Sequence, residues 1–215
     1  MSRDAWFRER LEPMCHRRDH GQVREHVARY RFAADRLRGR VLDAGCGTGY
    51  GSILLREGSR VRDVVGVDRD ARAIAWARRY YGARDIAHVC RDLLSPSLAG
   101  LGPFDGIACL EVLEHLPEPE RLLQRLDHVL APGGRLVVST PLGRGREVET
   151  RQPFHCFQLR RDEFARMLGA RFDVVLYGQK GIAIESWRRG GRYFLMIGVC
   201  RSRTERRERW SGRFG

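Results

Sequence analysis

The stretch Val41-Leu-Asp-Ala-Gly-Cys-Gly-Thr-Gly-Tyr50, followed about twenty residues later by Asp68, constrains this chain more than any other feature. Val41 and Leu42 read as the end of a buried strand, and Ser52-Ile-Leu-Leu55 as the start of a helix. Between them Gly45, Gly47 and Gly49 make a turn with no side chain in the way, so a ligand can approach the backbone closely. Asp68 closes a second strand, Val64-Val-Gly-Val67, and a carboxylate there suits the two hydroxyls of a ribose.

The glycine spacing narrows the ligand. A dinucleotide fingerprint needs glycine at its first, third and sixth places, but the sixth place here is Tyr50 and the third glycine comes one residue early. No Gly-Lys-Ser/Thr follows, which argues against a nucleoside triphosphate. Asp43 precedes the glycines, where it repels a pyrophosphate but tolerates an ammonium and a sulfonium. S-adenosylmethionine carries both.

Strand and helix patterns alternate along the chain. Strands are expected at 40–44, 63–67, 86–90, 104–110, 134–140, 172–177 and 193–200, and helices at 23–37, 49–57, 71–81, 120–130 and 162–168. This order argues for a doubly wound, mostly parallel α/β sheet of seven strands. Ligands on such sheets bind beyond the carboxyl ends of the strands, where Gly45, Asp68, Asp92 and Leu110 all fall. The expected organisation is an arm and cap helix (1–38), a cofactor-binding domain (39–200) and a basic tail (201–215). With 215 residues the chain is long enough for one such core, and no apolar run is long enough to span a membrane. The six cysteines form no Cys-x-x-Cys pair, which reads as reduced thiols in a cytoplasmic protein. The net charge of +13 invites a nucleic-acid partner, but residues 1–40 contribute +5 and residues 201–215 contribute +4, so most of it lies in the flanks.

At this point the sequence resembles a class I S-adenosylmethionine-dependent methyltransferase. The resemblance rests on Val41 to Gly49, Gly66-Val-Asp-Arg69, Arg91-Asp-Leu93, Phe104 to Leu116 and Val129 to Leu136, in order and at the usual spacings. It implies a sheet order of 3-2-1-4-5-7-6 with strand seven antiparallel. It also implies that Gly45, Gly47 and Gly49 flank the methionine part of the cofactor, with Asp43 near its amino group. Asp68 would bind the ribose, Asp92 the adenine amino group, Leu93 the ring, and Leu110 the methionine portion. A narrower resemblance, carried by His26-Val-Ala-Arg-Tyr30, Ser139-Thr-Pro141, Pro153-Phe-His155 and Tyr177-Gly-Gln179, is to small bacterial methyltransferases, many of them tied to glycan or secondary-metabolite pathways. It brings His26 and Tyr30 near the cofactor.

Methyl transfer to an alcohol or phenol benefits from a base or a metal. His115 and His155, after strands four and five, are the candidate catalytic residues. If Glu111 to His115 is helical, Glu111, Glu114 and His115 share a face and, with His155, form a candidate metal set. Enzymes that methylate ubiquinone precursors, or the 3′-terminal 2′-hydroxyl of small RNAs, carry a similar Glu-x-x-Glu-His with a metal role. In a plainer reading, Glu114 caps the turn before Pro117 and His115 shapes the pocket. The expected function is O-methylation of a small molecule such as a sugar or natural-product hydroxyl. The alternative is a metal-dependent RNA 3′-terminal 2′-O-methyltransferase, and a third reading is a relative that binds cofactor without turnover.

Overall fold

The structure is a computed structural model and describes residues 21–150 and 152–203. The arm that carries Cys15, His16 and His20, and the tail with Trp210, lie outside the described residues. Five parallel strands form one half of the sheet: β1 (Gly39–Ala44), β2 (Val61–Asp68), β3 (Ile86–Cys90), β4 (Phe104–Leu110) and β5 (Leu130–Pro141). The other half is antiparallel: β6 (Phe172–Lys180), β7 (Ala183–Ser186) and β8 (Leu195–Ser202). The spatial order is β3-β2-β1-β4-β5-β8-β6-β7.

Side-chain alternation along the central strands builds two cores. Leu42, Ile107, Cys109, Leu136 and Val138 face one layer, and Val41, Ala108, Leu110 and Val137 face the other. The first layer is closed by α4 (Pro119–Val129) through Leu122, Leu123 and Leu126, and by α5 (Arg161–Gly169) through Phe164 and Leu168. The second is closed by α1 (Gly21–Ala34) and α2 (Tyr50–Arg56), which contribute Tyr30, Phe32, Tyr50 and Leu55. Between β2 and β3, α3 (Ala71–Tyr80) is capped by Asp70, whose carboxylate accepts from the backbone N–H of Arg72 and Ala73.

The sheet has eight strands where seven are expected from the sequence. The additional strand is β7, which folds back on β6 with Lys180 paired to Ala183. Gly181 takes a left-handed φ of 58° in the two-residue turn, a conformation suited to a tight hairpin. Ala183–Ser186 is too short and too exposed to carry a periodic signal. Helix α1 stops at Ala34 rather than Leu37, and β5 starts at Leu130 because the Pro132–Gly134 turn is accommodated as a register shift against β4.

Candidate active site

A cavity of about 660 Å³ opens at the carboxyl ends of the parallel strands. Gly45, Gly47, Asp68, Asp92, Leu93 and Leu110 all line it, as does Tyr30 from α1. The glycine turn has a physical reason at each position. Gly45 and Gly47 take φ of 77° and 52°, and a Cβ on Gly45 would lie 2.5 Å from Val112. Gly47 faces open space, which leaves the backbone accessible to a ligand. Its N–H donates to Asp68 Oδ2 at 3.0 Å, while Asp68 Oδ1 accepts from Asp70 N at 2.9 Å. Each carboxylate oxygen keeps a further acceptor site for ligand hydroxyls.

Two of the expected cofactor-binding residues, Gly49 and Asp43, stand behind those that line the cavity. Gly49 caps α2 at φ 92°, and a Cβ there would meet Ala77 at 2.6 Å and His88 Nε2 at 2.8 Å, so its role is helix packing. Asp43 is 1% exposed and is not among the cavity-lining residues. Its oxygens accept from Tyr30 Oη at 3.1 Å and Ser52 Oγ at 2.7 Å, so it holds Tyr30 at the cavity. Burial pushes its carboxyl up from 3.8 to about 6.

The candidate metal set is only partly assembled. The segment after β4 is not an α-helix: Glu111 takes a left-handed φ of 57°, and Leu113–His115 is a single 3₁₀ turn. Glu111 is therefore outside the group in which Glu114, His115 and His155 hold donor atoms within 4.8 Å of one another. Glu111 accepts from Ser139 Oγ at 2.8 Å, and Glu114 from Thr140 Oγ1 at 3.0 Å, so two adjacent β5 hydroxyls hold the two carboxyls. Burial raises both carboxyls, Glu114 well above the usual range, and the Glu111 charge adds to the Glu114 shift. The rings of His115 and His155 meet edge to face at 5.0 Å. His115 Nδ1 lies 2.9 Å from the carbonyl oxygen of Phe154, which can only accept, so Nδ1 is the donor and Nε2 is the ring nitrogen left for other partners.

Sequence reasoning missed Arg29. It lines the cavity at 5% exposure, its NH1 donates to Gln179 Oε1 at 2.8 Å, and its Nε has no partner among the described residues. Gln179 is itself fully buried, and its amide donates to the carbonyls of Glu25 and Gly181. A signal was available: Gln22, His26 and Arg29 recur at helical spacing among the residues of α1 that face the cavity. His26 also reaches Tyr50 by a hydrogen bond, and burial lowers its pKa well below the ordinary value.

Comparison with known proteins decides what this cavity belongs to. A family model described as a methyltransferase domain matches residues 15–174. The chain belongs to that methyltransferase family. It is 34% identical over 180 residues to a protein of Mycolicibacterium smegmatis named as a probable S-adenosylmethionine-dependent methyltransferase, covering 78% of this chain and 67% of that one. It is 41% identical over 107 residues to a ubiquinone biosynthesis O-methyltransferase of Xylella fastidiosa, covering 47% of this chain and 41% of that one. The chain thus spans two thirds or less of these curated relatives. In fold it is similar to the N-methyltransferase NodS of Bradyrhizobium japonicum, solved with S-adenosyl-L-homocysteine, with a TM-score of 0.67 at 21% identity over 94% of this chain and 98% of that one.

The methyltransferase uses S-adenosylmethionine as cofactor, and its own residues fit that ligand. The open glycine turn, the carboxylates of Asp68 and Asp92, and the buried guanidinium of Arg29 offer partners for hydroxyls, an amine and a carboxylate. Among the described residues no helix is long and apolar enough to cross a membrane.

Proposed function

We propose that this methyltransferase transfers a methyl group to a hydroxyl of a small-molecule acceptor. The observation that carries the reading is His115, whose Nδ1 is fixed by the Phe154 carbonyl and whose ring stands in the same cavity as the glycine turn. When bound, S-adenosylmethionine supplies a methyl group on a positively charged sulfur. Of the lining residues, Gly45, Gly47 and Leu110 would border its methionine part, Asp68 would hold the ribose, and Asp92 and Leu93 would meet the adenine. Arg29 would provide the counter-charge for its carboxylate, and Tyr30, held by Asp43, lines the same cavity. His115 accepts the acceptor's proton, with the His155 ring orienting it edge to face. The Xylella relative's name, which includes O-methylation, points the same way. The five described cysteines are free, which suits the reducing cytoplasm as its compartment. The test is label transfer from methyl-labelled S-adenosylmethionine to hydroxyl and amine acceptors. His115→Asn should lower transfer to oxygen by about 10²-fold or more while leaving S-adenosylhomocysteine affinity unchanged. Transfer to amines alone, or full activity in the variant, contradicts the reading.

A second reading has one observation in its favour. Glu114 Oε1 and His155 Nδ1 are buried without hydrogen-bond partners among the described residues, and with His115 they make a three-donor set. Such orphaned atoms fit a divalent cation, and imidazole with carboxylate suits manganese, iron or zinc. A cation there would lower the acidity barrier of an acceptor hydroxyl, as in the RNA 3′-terminal alternative. Calorimetric titration with manganese should show saturable binding that Glu114→Gln abolishes; absence of heat at millimolar metal removes this reading.

A further inference from the structure

The acceptor side of the cavity is chemically uneven. Glu111 and Gln152 line it, and Glu114, His115 and His155 gather their donor atoms at one point. The walls around that point are apolar: Leu116, Pro141, Phe154, Phe194 and Leu195. Phe154 and Phe194 are 50% and 41% exposed, placing them among the five large exposed hydrophobics of the described residues, and both open onto this cavity. Isolated exposed apolar residues need no explanation, but two aromatic rings at the mouth of one cavity do.

Both rings stand on fixed supports. The Phe154 carbonyl is the acceptor for His115 Nδ1, so its ring is one residue from the polar cluster. Phe194 has its backbone pinned on both sides, its N–H donating to Gln179 O at 3.1 Å and its carbonyl accepting from Leu142 N at 3.0 Å. Pro141 and Leu195 pair across β5 and β8 directly beneath.

We propose that the acceptor is an aromatic hydroxyl compound, with its ring against Phe154 and Phe194 and its hydroxyl at the histidine cluster. This rests on the hydroxyl-methylation reading above and narrows it. A sugar brings several hydroxyls, each needing a partner when buried, and Leu116, Pro141, Phe154, Phe194 and Leu195 offer no side-chain partner. An aromatic ring instead gains from contact with two phenyl groups. A phenolic hydroxyl ionises near pH 10, within reach of an imidazole base, whereas a sugar hydroxyl is a much weaker acid. The acceptor oxygen gives its proton to His115 Nε2 and bonds to the methyl carbon as the carbon–sulfur bond breaks. The electron pair of that bond stays on sulfur, leaving a neutral thioether and a methyl aryl ether.

The experiment uses the full chain, treated with chelator, and four probes: 2-naphthol, catechol, methyl α-D-glucopyranoside and aniline. Binding is read by calorimetry on protein saturated with S-adenosylhomocysteine, and transfer by label from S-adenosylmethionine. The aromatic hydroxyls should bind and be methylated. Phe154→Ala and Phe194→Ala should each raise KM for 2-naphthol by roughly tenfold, with S-adenosylhomocysteine affinity little changed. Failure of 2-naphthol and catechol to bind, or phenylalanine variants with unaltered KM, overturns the inference. Methylation of the glucopyranoside in preference to the phenols overturns the inference and leaves hydroxyl methylation standing. Methylation of aniline alone overturns hydroxyl methylation itself.

Discussion

Asp43 illustrates how a residue can matter to this site from behind the cavity wall. Its carboxylate is buried beneath the glycine turn, accepts from Tyr30 and Ser52, and has its pKa raised to about 6 by the loss of water. Below about pH 4 the group is protonated in both folded and unfolded chains, and the shift contributes nothing. Between pH 4 and 6 the unfolded chain releases its proton first, so folding stability falls as pH rises, by ~3 kcal/mol in total for this group. Above pH 6 that loss is complete. Asp43→Asn keeps one acceptor oxygen and removes the titration, so its stability relative to wild type should rise across this window. Urea denaturation at pH 4, 5, 6 and 7 measures it, and a constant difference between the two proteins at all four values would contradict this account of Asp43. The sequence marked Asp43 as important from its position before the glycines. It could not tell a ligand contact from a buried support, because that depends on Tyr30 and Ser52 reaching it from two different helices.

At the scale of elements, the cavity depends on how closely α1 lies on α2. Gly51 makes this approach possible: a Cβ there would sit 2.0 Å from Cζ of the Tyr30 ring. By helix propensity alone, Gly51→Ala should stabilise α2 by up to about 1 kcal/mol. The clash reverses that, and a net loss of about 1–3 kcal/mol is expected in chemical denaturation, with weaker S-adenosylhomocysteine binding as Tyr30 is displaced. A stabilised variant with unchanged affinity would mean that α1 does not form the lid described here. Most elements were legible because their signals are local: the short apolar run Val64–Val67, the Asp70 cap, and the apolar spacing of α4. β7 was not, since its pairing is imposed by β6 and a left-handed Gly181. The turn after β4 was read as a possible helix because Glu111, Glu114 and His115 have helical spacing. Instead Glu111 is left-handed, with its N–H donating to Ser139 Oγ and its carboxylate accepting from that hydroxyl.

Taken whole, the molecule brings one set of residues from β1, β2 and β3 and another from β4, β5 and β8 to a shared edge of the sheet. The first set was readable from motif spacing, which is why Gly45, Gly47, Asp68, Asp92 and Leu93 lie where expected. Arg29, Phe154 and Phe194 were not, because their convergence is set by the packing of α1 and by the antiparallel half of the sheet. The central claim is that this edge holds S-adenosylmethionine with its ribose on Asp68. Calorimetric titration of the full chain and of Asp68→Ala with S-adenosylhomocysteine tests it most directly. Saturable one-to-one binding, weakened in the variant by about 1–3 kcal/mol, is the predicted result. No binding by the wild-type chain, or equal affinity in both proteins, would contradict it.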